Sequence, residues 1–254
     1  MTILPRTDVG STTHGVRVAF NRDEQRARPR GTYPTLEQHG GCRALLPRDP
    51  QGGGTWLAAT EHGLVFTLLN ITYPHVVHLG GASRGSVIPG ALAAESLTDV
   101  EELLPGLASP IERPFRLVVT DGHSTLEAVG GSGSITCSLQ RLDRPFMRCS
   151  SGLGDAIVEP LRSEAFARLF SDEAVDLVAA QDAFHHHRFP GREECSIDMS
   201  RRDACTVSWT VIELDTTTLR MNHHQGAPRE NSDPIEHTLV LSDRRAAPAE
   251  ARNE

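Results

Sequence analysis

The sequence predicts an α+β fold, and three observations carry the prediction. Strand-type alternation fills the first part, helical spacing the middle, and strand-type alternation the end. No sustained strand–helix–strand alternation occurs, which favours a layered α+β domain over a doubly wound parallel sheet. The 254 residues, 38% hydrophobic and 23% charged, suffice for one sizeable core and show no internal repeat or domain-scale linker. One domain is expected over residues 1–242. A disordered tail is expected over 243–254, where "RRAAPAEARNE" lacks any periodic pattern.

The elements follow in order. "GVRVAF" (15–20) alternates Val16, Val18 and Phe20 against Arg17 and Ala19, as a strand does. The polar run 21–54 carries Pro29, Pro34, Pro47 and Pro50 and reads as a long irregular excursion, a common home for function. "TWLAAT" and "LVFTLLN" form a hairpin across "EHG" (61–63), with Gly63 free to take positive φ. A helix is expected within 83–97, starting near Pro89. A second helix opens on Thr98 with Glu101 as its capping-box partner and ends at Pro105. "RPFRLVVTDGHSTLEAVG" (113–130) is a hairpin turning at "DGHS". Two helices follow at 159–170 and 171–184, the second capped by Ser171. A hairpin at 205–224 turns near "LDTT", and "EHTLVLSD" (236–243) is a last strand.

Composition narrows the function. A net charge of −8 argues against nucleic-acid binding by counterion release and against anionic membrane surfaces. No apolar run reaches bilayer length, and Pro5, Arg6 and Asp8 interrupt any signal-peptide core. Five widely spaced cysteines without a C-x-x-C pair read as reduced thiols in a cytoplasmic protein, with neither a metal nor a cofactor expected. "FHHHRF" (184–189) reads as a solvated helix end, since three successive histidines cannot all face one way. "NHHQ" (222–225) is a second pair, and its meeting the first in space would alter that reading. Gly53, Gly54, Thr55 and Trp56 lack the lysine of a phosphate loop. They read as backbone lying close to the first strand, with Trp56 in the core. Cys205 sits inside a strand signal and reads as a buried thiol.

The sharpest signal is "FNRDEQRARP" (20–29), where an amide, a cation and two anions follow a strand that should lead into a core. Asn21-Arg22-Asp23-Glu24 with Arg28-Pro29, "GGTW" at 53–56, "LLN" at 68–70, "SRG" at 83–85, "SSGLGD" at 150–155 and "SIDMSRRDACTVS" at 196–208 stand in order. Together they resemble the NRDE family, also called the transport and Golgi organisation protein 2 family. That resemblance implies the fold of N-terminal-nucleophile hydrolases, a four-layer αββα sandwich of two antiparallel sheets between helix layers. In such enzymes a newly exposed Cys, Ser or Thr attacks an amide, and its own α-amine, titrating near ~8 in model peptides, is the base.

Family members usually begin Met-Cys-Thr, whereas this chain begins Met1-Thr2-Ile3-Leu4. Either Thr2 replaces the cysteine or the cysteine is deleted and catalysis is lost. For an enzyme, the resemblance implies an amide hydrolase or acyltransferase. Thr2 would be its nucleophile and Asn70 an oxyanion donor, with Arg22 and Asp23 positioning the N-terminus and substrate, Asn21 beside them as a further catalytic candidate, and Arg201 near the nucleophile. The competing reading is a non-catalytic binding or trafficking protein for a hydrophobic ligand such as haem or an acyl chain. Structural alternatives stand beside each residue: an Arg22–Asp23 ion pair fastening the 21–54 loop, a strand-end turn at Asn70, and a solvated Arg201. The oligomeric state stays open.

Overall fold

The computed structural model describes residues 1–7, 14–72, 81–108, 111, 113–171 and 175–242. In chain order the strands and helices are β1 (Thr2–Thr7), β2 (His14–Gln25), β3 (Thr35–His39), β4 (Cys42–Leu46), β5 (Leu57–Thr60), β6 (Val65–Asn70), α1 (Val87–Ala91), α2 (Leu97–Ala108), β7 (Phe115–Thr120), β8 (Ser124–Gly131), β9 (Ser134–Arg141), β10 (Phe146–Met147), α3 (Asp155–Leu169), α4 (Leu177–His185), β11 (Ala204–Leu214), β12 (Thr218–His224) and β13 (Ile235–Val240). They form two antiparallel sheets. One runs β10-β1-β2-β11-β12-β13, the other β3 to β9 in simple succession.

Alternation along each strand builds the layers. Ile3, Val18, Phe20, Leu57, Val118 and Ile212 meet between the sheets. The opposite face of the second sheet, with Phe66 and Leu117, packs on Ile88 of α1, on Leu92 just past its end, and on Val100 and Leu104 of α2. The outer face of the first sheet is covered by α3 and α4 through Val158, Ala165 and Phe184. The order is helix, sheet, sheet, helix. Strands such as β5 and β6 are buried on both faces, which explains their near-continuous apolar runs.

Several expectations are corrected. The 21–54 segment is not one irregular excursion: β2 continues through Gln25, and β3 and β4 form a hairpin about Gly40 and Gly41, at φ 57° and 93°. "NRDE" therefore lies within a strand rather than at its end. It pairs with β11, with Asn21 opposite Trp209, Arg22 opposite Ser208 and Asp23 opposite Thr206, and a bulge between the last two partners. Helix α1 starts at Val87, before Pro89. Helix α2 is capped by Ser96 and Asp99, each accepting from the other's backbone N–H at 3.2 and 2.9 Å, and Pro105 lies inside it. The cap of α4 is Asp176, not Ser171; its carboxylate accepts from the N–H groups of Val178 and Ala179. Gly54 lies against Gly85 rather than the first strand: a Cβ built on Gly54 would stand 2.5 Å from the Gly85 oxygen, and Thr55 N–H donates to that oxygen.

The three predicted hairpins and the final strand are present. All five cysteines are free, with Cys205 only half-buried. Among the described residues no helix is long and apolar enough to cross a membrane. The tail 243–254 lies outside the described residues.

Candidate active site

One end of the sandwich opens into a cavity of about 340 Å³. It sits where β1 begins, β6 ends and the two sheets part. Asn21, Arg22, Asp23, Asn70 and Arg201 all line it. Thr2 does not. The cavity wall at the chain's start is Met1, 8% exposed.

Strand parity explains the difference. Successive β1 side chains point to opposite faces, so Met1 and Ile3 turn between the sheets while Thr2 turns to the helix layer. Thr2 is 0% exposed there, and its Oγ1 lies 2.8 Å from both His185 Nε2 and Gln181 Nε2. His185 Nδ1 lies 2.8 Å from Asn21 Oδ1. Asn21 Nδ2 donates to the carbonyls of His185 and Ile197 at 2.9 and 3.1 Å. These partners fix the protons: the amide oxygen of Asn21 accepts from Nδ1–H, leaving Nε2 to accept from the Thr2 hydroxyl. Burial first, then the chain's amine and Arg17, hold His185 well below its ordinary pKa and therefore neutral. The Gln181 oxygen accepts from Arg17, which also pairs with Asp182 at 2.8 Å.

On the cavity side, the Met1 amine donates to the Arg148 carbonyl at 2.9 Å. Burial lowers this amine to about 5, with Arg162 adding to the shift and Cys149 and Asp23 opposing it. Asp23 accepts from Thr206 Oγ1 at 2.6 Å. Burial raises its carboxyl, opposed by Arg162 and by that hydrogen bond. Arg162 donates to the carbonyls of Cys195, Ser150 and Ser196 at 3.0, 3.2 and 2.7 Å. Arg22 is not paired to Asp23. Its guanidinium lies 4.0 Å from the Trp56 ring centroid, and Nη2 bonds Glu24 at 2.9 Å. Glu24 also meets Arg28 at 3.3 Å, which bonds Asp49 in turn. Arg201 is tethered to Asp203 at 2.9 Å. Asn70 is exposed at the end of β6.

Sequence reasoning missed His185, Gln181 and Arg162. "FHHHRF" is not simply a solvated helix end, because His185 is 1% exposed and central to the network. Its signal was a polar pair at i and i+4 on the inner face of α4. The two histidine groups do meet: His186 and His224 flank Trp209 at ring distances of 5.1 and 4.4 Å. Among the described residues, three metal-type donors gather within 4.8 Å only at Cys42, Glu61 and His62, at the other end of β5. Arg43 already occupies both Glu61 oxygens there.

Layers and sheet order define the class: an N-terminal-nucleophile-hydrolase fold. Two solved structures share it. Penicillin V acylase from Agrobacterium tumefaciens matches at 10% identity and TM-score 0.52, over 96% of this chain and 87% of that one. The Caenorhabditis elegans ortholog of N-acylethanolamine-hydrolyzing acid amidase matches at 9% identity and TM-score 0.53, over 95% and 99%. The family model Transport and Golgi organisation 2 matches residues 14–153, more than half of the sequence, and the chain belongs to that family. No curated protein matches the sequence.

Proposed function

We propose that this protein holds an acyl amide, or a related acyl ligand, in the cavity and does not cleave it while Met1 is in place. The single observation behind this reading is the parity of β1. The Met1 thioether side chain is part of the cavity wall, whereas Thr2 is not, and the Thr2 hydroxyl is engaged by Gln181 and by His185, a residue of the cavity wall. Phe20, Leu68, Leu69, Met147 and Phe184 on the wall suit an acyl chain. The two structural relatives carry names of enzymes acting on acyl amides, which supports that ligand class. A cytoplasmic protein with reduced thiols remains part of the reading.

The test pairs calorimetry with amine-release assays on protein whose intact mass includes Met1. N-decanoylethanolamine is expected to bind saturably without release of ethanolamine. Inserting a cysteine between Met1 and Thr2, to restore Met-Cys-Thr, is expected to bring hydrolysis with it. Turnover by the unaltered chain would overturn the reading.

One observation favours a second reading. Thr2 Oγ1, His185 Nε2 and Asn21 Oδ1 form a hydroxyl–imidazole–amide series with 2.8 Å links. After Met1 removal, Thr2 Oγ1 would bond the acyl carbon as its proton passed to His185. The amide C–N bond would then break with that proton on the leaving amine, and water would hydrolyse the ester. Activity found only in Met1-free protein and lost in Thr2→Val would establish it.

A further inference from the structure

The end of β5 far from the cavity carries a second cluster of reactive side chains. Cys42 opens β4, and Glu61 and His62 lie in the turn that leaves β5. The Cys42 sulfur, a Glu61 carboxylate oxygen and a His62 ring nitrogen all lie within 4.8 Å of one another. Cys42 is 2% exposed, Glu61 8%, and His62 is half-buried. Donors bound at about 2.0–2.3 Å from one centre stand roughly 3.5 Å apart, so a small side-chain movement closes the three on an ion.

The contacts around each donor suit that role. Ser242 Oγ donates to the Glu61 carbonyl at 3.2 Å and lies 3.1 Å from His62 Nδ1. Its one proton is thereby used, so Nδ1 carries the ring hydrogen and Nε2 keeps its lone pair for a cation. Arg43 holds both Glu61 oxygens, through its backbone N–H and its Nε at 2.7 Å each. Each oxygen keeps a second lone pair, and the Arg43 side chain is 45% exposed and free to turn outward. Burial and the Glu61 carboxylate push the Cys42 thiol up, opposed by hydrogen bonds from the Glu61 and His62 N–H groups and the Thr60 hydroxyl. A divalent cation seated between sulfur and carboxylate turns that repulsion into attraction and releases the thiol proton.

We propose that Cys42, Glu61 and His62 bind a borderline-soft divalent cation of the zinc type. Sulfur and imidazole donors select against magnesium and calcium, which take oxygen. Three protein donors leave one tetrahedral position to water. The site departs from the expectation of no metal, because its donors come from two separate strand ends and carry no C-x-x-C spacing. It also ties the second sheet to the first, since Ser242 follows β13 and its backbone N–H donates to the Glu61 carbonyl at 2.9 Å. The proposal stands apart from the cavity and is independent of the acyl-ligand reading.

Cobalt(II) is the probe, added to the whole, tag-free protein after treatment with a chelator and a reductant. One equivalent is expected to give the sulfur-to-cobalt charge-transfer band in the near ultraviolet, and zinc is expected to displace it. Cys42→Ser is expected to lose the band, whereas Cys205→Ser, which removes a thiol on β11, keeps it. His62→Gln is expected to keep the fold and weaken zinc, measured against a chromophoric chelator, at least about 10-fold. That variant carries the test should Cys42→Ser fail to fold, because His62 sits half-buried in a turn. Cobalt bound without the band, a band that survives Cys42→Ser, or zinc affinity unchanged in His62→Gln would overturn the proposal.

Discussion

Replacing Thr2 by valine exchanges one hydroxyl for a methyl at nearly constant shape, so it asks which way Thr2 faces. The hydroxyl has two partners at 2.8 Å, His185 Nε2 and Gln181 Nε2, in a site with no solvent exposure. The variant leaves the imidazole nitrogen without a donor and one amide N–H without its acceptor. A buried polar group left unmatched costs about 1–3 kcal/mol. Gln181 keeps longer contacts, 3.4 Å, to the carbonyls of Thr2 and Arg17, which places its share at the low end. The sum is about 2–4 kcal/mol, or roughly 5–15 °C in Tm for a chain of this size. Urea unfolding followed by tryptophan fluorescence measures it as a lower midpoint at unchanged m. Thr2→Ser retains the hydroxyl and is expected to stay within about 1.5 kcal/mol of the parent. A Thr2→Val loss below about 0.5 kcal/mol refutes the reasoning, because the hydroxyl would then face the cavity and the nucleophile reading would revive.

Two further outcomes follow from the packing. Gly54→Ala sets a Cβ 2.5 Å from the Gly85 oxygen, and neither backbone has room to yield; a loss of about 1–3 kcal/mol together with weaker ligand binding is expected, and a neutral result denies the close approach. Burial lowers His223 to about 4 from 6.5, so the unfolded chain binds this proton at higher pH than the folded one. Stability therefore rises with pH between about 4 and 6.5. His223→Gln should flatten that slope in urea midpoints, and an unchanged slope removes His223 as its source.

The parts of the fold legible in the sequence are those whose signals are local. The β5–β6 hairpin declares itself through Gly63, and the β11–β12 hairpin turns on Asp215, whose carboxylate accepts from the N–H groups of Thr217 and Thr218. Strand β3 is an edge strand, mostly exposed, and so offers no alternation to read. The "NRDE" charges look like a turn because their strand partners come from β11. His185 looks solvated because its bonds go to Asn21 and Thr2, 164 and 183 residues away. The candidate nucleophile is the finest case. A shift of one residue in a strand exchanges cavity for helix layer, and a motif fixes order along the chain, not the face.

The two sheets also differ in how soon they can form. The sheet from β3 to β9 pairs each strand with the next and can close as that stretch emerges from a ribosome. The other joins β2 to β11, whose Asp23–Thr206 hydrogen bond spans 183 residues. At about 5–20 residues per second, β2 waits roughly 10–40 s for its neighbour. During that wait its edge is an open template for other nascent chains. Arg22, Asp23 and Glu24 stand on that edge, so the charges that later furnish the cavity first keep an unfinished protein from pairing with the wrong strand.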